Sequence, residues 1–278
     1  MSPLTARASL VTALILLLFL GAWHVATLSG ASGPAMDPEY AKLVGATANQ
    51  GKSAMPGPLE VGSKILSHLR DPFYDRGSND KGIGIQLAWS ILRVLAGYGL
   101  AVVIALPLGF LIGMSPLMSR ALDPFIQILK PISPLAWMPL ALYTIKDSTT
   151  SSIFVIFICS VWPMLINTAH GVASVRRDWL NVAKTLEAGT VRTAFQVILP
   201  AAAPVILTGM RISMSIAWLV IVAAEMLVGN LGIGYFVWNE WNNLSLSNVI
   251  FAILVIGVVG MVLDFLFGLA QRAVAYAE

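Results

Sequence analysis

The sequence predicts an all-α integral membrane protein with six membrane spans. Hydrophobic residues make up 57% of the 278 residues and charged residues only 11%, and the mean hydropathy is +0.80. Soluble domains contain about 25% charged residues, so this chain has too few polar groups to cover a water-exposed surface. A helix needs about 20 apolar residues to cross the hydrocarbon core. Segments that meet this requirement lie at about 9–29, 88–114, 122–145, 152–174, 201–228 and 248–271.

The first segment allows two interpretations. Arg7 precedes an apolar run from Leu10 to Ala22, which is the layout of a signal peptide. The apolar character continues to Leu28, however, and this length favours a retained spanning helix.

The third segment is interrupted. Proline removes a backbone donor and breaks a helix, which is tolerated inside a membrane next to a cavity or another helix. The interrupting residues are Lys130, Pro131, Pro134 and Pro139.

Two polar segments separate the spans, at 30–87 and 175–200, and the whole of 1–278 is predicted to be one transmembrane domain. Residues 30–58 are rich in Gly, Pro, Ala and Ser, which is typical of an extended loop. Apolar residues from Leu59 to Leu69 then recur at helical spacing and predict a short helix on the membrane surface. Basic residues divide evenly between the two sides, so charge alone leaves the orientation open.

Composition and motifs argue against several kinds of site in this chain. The single cysteine, Cys159, excludes a disulfide framework, and the scattered basic residues argue against nucleic-acid binding. The stretch from Gly45 to Ser53 has five residues between its glycines where a phosphate loop has four. We find no nucleophile–base pair, so we predict no enzyme activity and no cofactor in this chain. Transport would then draw on another subunit or on an ion gradient.

The segment 175–200 carries a spacing motif, Asn181-Val-Ala-Lys-Thr-Leu-Glu-Ala-Gly189 followed by Val197-Ile-Leu-Pro200. A short amphipathic segment between two spans is typical of a docking site. Its spacing resembles the EAA loop of ABC-importer permeases, E-A-A-x3-G-x9-I-x-L-P. Asn181 stands where Glu is usual and Glu187 where Gly is usual, while Gly189 is out of register.

Longer stretches extend the resemblance over nearly the whole chain. MPGPLEV, DPFYDRG, PLAWMPLALY and WPMLINTAHGV are similar to the permease subunits of nitrate and bicarbonate ABC importers, within the nitrate/sulfonate/taurine family. The resemblance implies a six-span type I ABC importer permease in the bacterial plasma (inner) membrane. It also implies a cytoplasmic N-terminus, an outer loop at 30–87 and a cytoplasmic coupling loop at 175–200.

The same resemblance implies function and partners. The chain would be the permease subunit that translocates nitrate, nitrite or bicarbonate, powered by ATP and Mg on separate subunits. Its partners would be a second copy of itself, two cytoplasmic ATPase subunits (one with a fused solute-binding regulatory domain), an outer solute-binding protein and membrane lipid. The alternative that the residues leave open is a self-sufficient ion-coupled anion transporter or channel.

The coupling loop would dock the ATPase subunits through apolar contacts and charge pairs. The residues predicted to do so are Leu180, Ala183, Lys184, Leu186, Glu187, Ala188, Gly189, Arg192 and Phe195.

Charged residues inside spans are costly and are therefore candidates for the transport pathway. Arg211 lies about 15 Å into the fifth span, near the midplane. Asp264 lies at a similar depth, so Arg211 either contacts the anion or pairs with Asp264. Glu225 would repel anions, which suggests a gate or a helix anchor, and Arg93 is placed to extend its charge to the interface.

Neutral hydrogen-bond donors are suited to weak anion contacts, although the same residues are common in helix packing. The pathway candidates are Arg211, Lys130, Ser133, Trp137, Tyr143, Asn167, Ser213, Trp218 and Glu225.

Overall fold

The computed structural model describes residues 3–28, 55–77, 80–229 and 231–274. Regular structure within these ranges is helical, apart from an isolated bridge between Asp75 and Lys81. The predicted extended loop over 30–58 lies mostly outside the described residues. The helices are α1 (Pro3–Leu28), α2 (Pro58–Arg70), α3 (Ile83–Met114), α4 (Pro116–Leu129), α5 (Pro134–Ile145), α6 (Ser148–Ala173), α7 (Arg177–Thr185), α8 (Thr190–Thr193), α9 (Leu199–Val228), α10 (Ile233–Asn242) and α11 (Leu246–Val274).

Five of the described helices are long and apolar enough to cross a membrane, namely α1, α3, α6, α9 with its preceding turns, and α11. The helices α4 and α5 reach spanning length only as a pair bent by 90°. A count of six spans therefore holds when the bent pair is one span, and the interruption predicted within 122–145 is present as this bend. Pro131 has no N–H to continue α4, and Ser133 caps a new helix by accepting from the Leu135 amide.

The chain divides into two compact units, and the first comprises residues 1–72 with 240–252. In this unit α2 lies against the beginning of α11. Ser247 donates to Glu60 across 2.5 Å, and the His68 ring stacks on Phe251 at 4.8 Å between centroids. The short helix expected over 59–69 is confirmed as α2.

The second unit comprises residues 73–239 with 253–278, and its core is built by α3, α6 and α9. Glycines allow close approach: a Cβ on Gly97 would lie 2.7 Å from Cβ of Ile156, and one on Gly113 would lie 2.6 Å from Cβ of Val172. Gly109 and Gly209 are similarly confined. Gly99 and Gly257, in contrast, have no neighbour within 4 Å of such a Cβ among the residues that the structure describes.

The polar segment between α6 and α9 is also helical. The helix α7 is followed by α8, and a π-helical turn at Ala194–Ile198 leads directly into α9. A buried apolar cluster at the start of α9 includes Val175 and Ile198, and Leu180 of α7 packs against it. This cluster fixes the segment at one end of the bundle, while the turn after α9 lies at the opposite end.

Candidate functional site

The segment around α7 and α8 exposes large apolar side chains in a stretch too polar to be buried in lipid. We call Val182, Leu186, Val191 and Phe195 the coupling surface. Their side chains are 59%, 75%, 72% and 66% exposed. Exposed apolar side chains grouped on a polar segment are typical of surfaces that bind another protein.

Two of the residues predicted to dock a partner face the other way. Ala183 is buried, at 4% exposure, and Leu180 packs into the apolar cluster of its own chain. The docking contact predicted for Ala183 is therefore wrong, because this side chain is buried and holds α7 to the bundle. Val182 and Val191 were missed, although helical spacing separates Val182 and Leu186 from the buried face.

The end of α7 is a complete C-terminal cap. The amide of Glu187 donates to the Lys184 carbonyl at 3.0 Å, and the amide of Ala188 donates to the Ala183 carbonyl at 3.0 Å. Glu187 itself has a φ of 50°, in the left-handed region that glycine favours. Gly189, in contrast, has an ordinary φ of −61° as the residue before α8.

Charged groups surround the coupling surface. Lys184, Glu187 and Arg192 are all exposed, as expected of docking residues, and Gly189 is exposed beside the half-buried Ala188. Nε of Arg192 donates to Gln196 at 2.9 Å.

At the opposite end of the bundle, Glu225 is almost fully buried, at 1% exposure. Its carboxylate accepts hydrogen bonds from Ser90 Oγ at 2.8 and 2.9 Å, from Arg93 Nη1 at 2.8 Å and from the Gly234 amide at 3.0 Å. Arg93 was expected to extend its charge to the interface. It is instead buried at 4% exposure, because Glu225 neutralises it inside the bundle.

The same cluster holds four consecutive residues of the turn after α9, at 231–234. Each contributes one backbone group to a hydrogen bond with a buried side chain, so these four residues are attached to α3 and α9. Gln86, Ser90 and Arg93 occupy one face of α3 at helical spacing, a sequence signal that would have revealed the cluster. The further bonds run from the Gly232 amide to Gln86 Oε1 (2.7 Å), from the Ile233 amide to Ser90 Oγ (2.9 Å) and from Arg93 Nη1 to the Leu231 carbonyl.

Arg211 and Asp264 form a second intramembrane ion pair. Nε and Nη2 of Arg211 donate to the two carboxylate oxygens of Asp264 at 2.6 and 2.5 Å. The side chains are 38% and 44% exposed and line an open cavity of about 410 Å³ that Arg272 also borders. Of the two alternatives predicted for Arg211, pairing with Asp264 is therefore the one present.

Three further pathway candidates donate hydrogen bonds to backbone carbonyls within the bundle. The Ser213 and Trp218 bonds join helices and use the one donor of each side chain, whereas the Asn167 bond stays within one helix and leaves a second amide N–H. The three bonds run from Ser213 to Ser160 (2.8 Å), from Trp218 to Ile256 (3.0 Å) and from Asn167 to Pro163 within α6 (2.7 Å).

The remaining candidates cluster at the bend between α4 and α5. Lys130 and Ser133 are exposed, Trp137 is half-buried with its ring edge toward Phe154, and Tyr143 is 82% exposed. Lys130 also lines an open cavity of about 590 Å³ with His170 and Asp123 as polar neighbours. A pathway role for these residues stays a prediction.

Comparisons with known proteins agree with this architecture. Residues 105–276 match the model of the family described as binding-protein-dependent transport system inner membrane component. The nitrate import permease NrtB of Leptolyngbya laminosa is 40% identical over 97% of this chain and 89% of its own length.

Synechocystis provides two further relatives. Its NrtB is 42% identical over 81% of this chain and 82% of its own length. Its bicarbonate transport permease CmpB is 41% identical over 80% of this chain and 78% of its own length.

Among solved structures, the inward-facing MetNI methionine ABC transporter has a similar fold. Its TM-score is 0.61 at 15% identity, over 68% of this chain and 94% of that one.

Proposed function

Because this chain belongs to the binding-protein-dependent transport system inner membrane components, and within them to the nitrate and bicarbonate permeases, we propose that it forms the membrane pathway by which an ABC importer moves nitrate into the cell. The choice of nitrate as the substrate rests on the 40% identity with a nitrate import permease along 97% of the chain. Nitrite and bicarbonate are the related anions that the test must separate from nitrate.

The coupling surface supports an external energy source. Four large apolar side chains remain exposed on a polar segment that is fixed to the bundle by its own buried cluster. Such a surface is suited to bind the cytoplasmic ATPase subunits, which would carry ATP and Mg. The coupling surface and the N-terminus would then lie on the cytoplasmic side of the inner membrane, and the alternative of a self-sufficient transporter would be excluded.

The assembly we propose contains two copies of this chain, two ATPase subunits and an outer solute-binding protein. One ATPase subunit would carry a fused solute-binding regulatory domain. The face opposite the coupling surface would receive the delivery protein. Anion contacts inside the pathway would be weak, because a tightly held anion would not be released.

Proteoliposomes test this function. The permease, its ATPase subunits and nitrate-loaded binding protein should accumulate nitrate only when ATP is supplied, and the permease alone should give no flux. Parallel assays with nitrite and bicarbonate identify the preferred anion. Nitrate flux through the permease alone would contradict the proposal, and bicarbonate accumulation without nitrate accumulation would contradict the substrate.

A further inference from the structure

Glu187 occupies a backbone conformation that its side chain disfavours. Its φ of 50° lies in the left-handed region, where a non-glycine residue typically costs about 1 kcal/mol or more. The cap of α7 requires that conformation, because the amides of Glu187 and Ala188 close the last turn. Glycine would meet the same requirement without strain.

The neighbouring glycine does not relieve this strain. Gly189 has an ordinary φ of −61°, so the glycine of this segment is out of register with the left-handed position. The chain therefore retains a carboxylate at a position where glycine would be more stable.

The Glu187 carboxylate has no hydrogen bond or ion pair with any residue that the structure describes. It is exposed and immediately follows Leu186, which is 75% exposed on the coupling surface. The other acid of segment 175–200, Asp178, pairs with Arg176 at 3.2 Å. Glu187 is thus the unpaired acid of a segment whose other charges, apart from the Arg176–Asp178 pair, are the basic groups of Arg177, Lys184 and Arg192.

We propose that Glu187 determines how this permease recognises its ATPase subunit, through an ion pair between its carboxylate and a basic side chain of that subunit. The inference rests on the proposed function and adds to it a specificity residue. The apolar coupling surface provides contact area, whereas the carboxylate fixes register and excludes ATPase subunits without a basic group at that place. Asn181, which stands where the EAA pattern has its glutamate, is uncharged and makes no such pair.

Three substitutions separate charge from backbone strain. Glu187→Gln removes the charge and keeps the strain, Glu187→Gly removes both, and Glu187→Lys reverses the charge. Lys146→Gly is the matched control, because Lys146 ends α5 with a φ of 59° and lies outside the coupling segment. The measurements are the unfolding temperature of the purified permease and the dissociation constant of its cognate ATPase subunits, at low and high salt.

Both glycine variants should raise the unfolding temperature by about 2 °C. Only the Glu187 variants should weaken ATPase binding, by about fivefold for Gln and Gly and by more than tenfold for Lys, with the difference shrinking in high salt. Wild-type affinity of Glu187→Gln would overturn the ion pair. Weakening by Glu187→Gly alone would assign the effect to the backbone and also overturn it. If the wild-type permease binds no ATPase subunit, the proposed function itself fails.

Discussion

The second unit contains two arginine–carboxylate pairs inside membrane helices, and they differ in burial and in the parts of the structure that they hold together. The side chains of the Arg93–Glu225 pair are 5% and 1% exposed, and both also form hydrogen bonds with the backbone at 231–234. The Arg211–Asp264 pair is 38% and 44% exposed and joins α9 to α11 through side chains alone. The same chemistry therefore fixes a turn in one place and links two helices in the other.

Breaking the buried pair should have the largest effect. Glu225→Gln leaves Arg93 as an uncompensated buried charge and weakens the hold on the turn. We expect a cost of about 3–5 kcal/mol, by analogy with buried pairs in soluble proteins. The yield of monodisperse permease in detergent and its unfolding temperature measure this. Asp264→Asn is the matched control, and an equal loss in the two variants would contradict the distinction between the pairs.

The half-exposed pair should give a smaller loss that can be reversed. Arg211→Gln and Asp264→Asn should each lower the yield severalfold, because one charge is left without its partner. The double variant removes both charges, so its yield should return close to that of the wild type. Intact yield in both single variants, with transport lost only in Arg211→Gln, would instead assign Arg211 to the anion.

A similar contrast between buried and exposed positions exists on α7. Ala183→Asp places a charge against the bundle and should lower the unfolding temperature of the permease by several degrees. Val182→Asp adds the same group one residue earlier, where the side chain is 59% exposed, and should leave the unfolding temperature unchanged. Destabilisation by Val182→Asp equal to that by Ala183→Asp would show that the coupling surface is not free.

The smallest effect is expected at the exposed ion pair before α3. Lys81 donates to Asp75 at 2.6 Å and so lowers the carboxyl pKa below 3.8. Because the folded-state pKa is depressed, the stabilisation is present above about pH 3.8 and is lost as the pH falls through the lowered value. Lys81→Met should raise the Asp75 titration midpoint, as followed by infrared or NMR spectroscopy, with only a small loss of stability at pH 7 because the pair is exposed. A midpoint unchanged in Lys81→Met would contradict the pairing.

The sequence predicts the spans well, because their length and apolar content are physical requirements of the membrane. It also predicts a short amphipathic segment between two spans and, from the depths of the two residues, the pairing of Arg211 with Asp264 as one of two alternatives. It does not place Arg93 beside Glu225, because that contact depends on how α3 packs against α9. Ala183 was assigned to the wrong face because motif position does not say which side of α7 meets the bundle.

The bend between α4 and α5 shows another limit of the sequence. The prolines indicate an interruption near Lys130, but they do not give the angle of 90° between the two helices. In contrast, the spacing pattern puts Glu187 where glycine is usual, which agrees with the left-handed backbone of Glu187 rather than Gly189.

We propose that ATP hydrolysis in separate subunits drives this permease through the coupling surface. ATP hydrolysis by the assembled complex, stimulated by nitrate-loaded binding protein, tests it most directly. We expect stimulation in the wild type and its loss in Val182→Asp, whose permease should still fold and insert. Full stimulation in Val182→Asp, with the ATPase subunits bound as in the wild type, would contradict the claim.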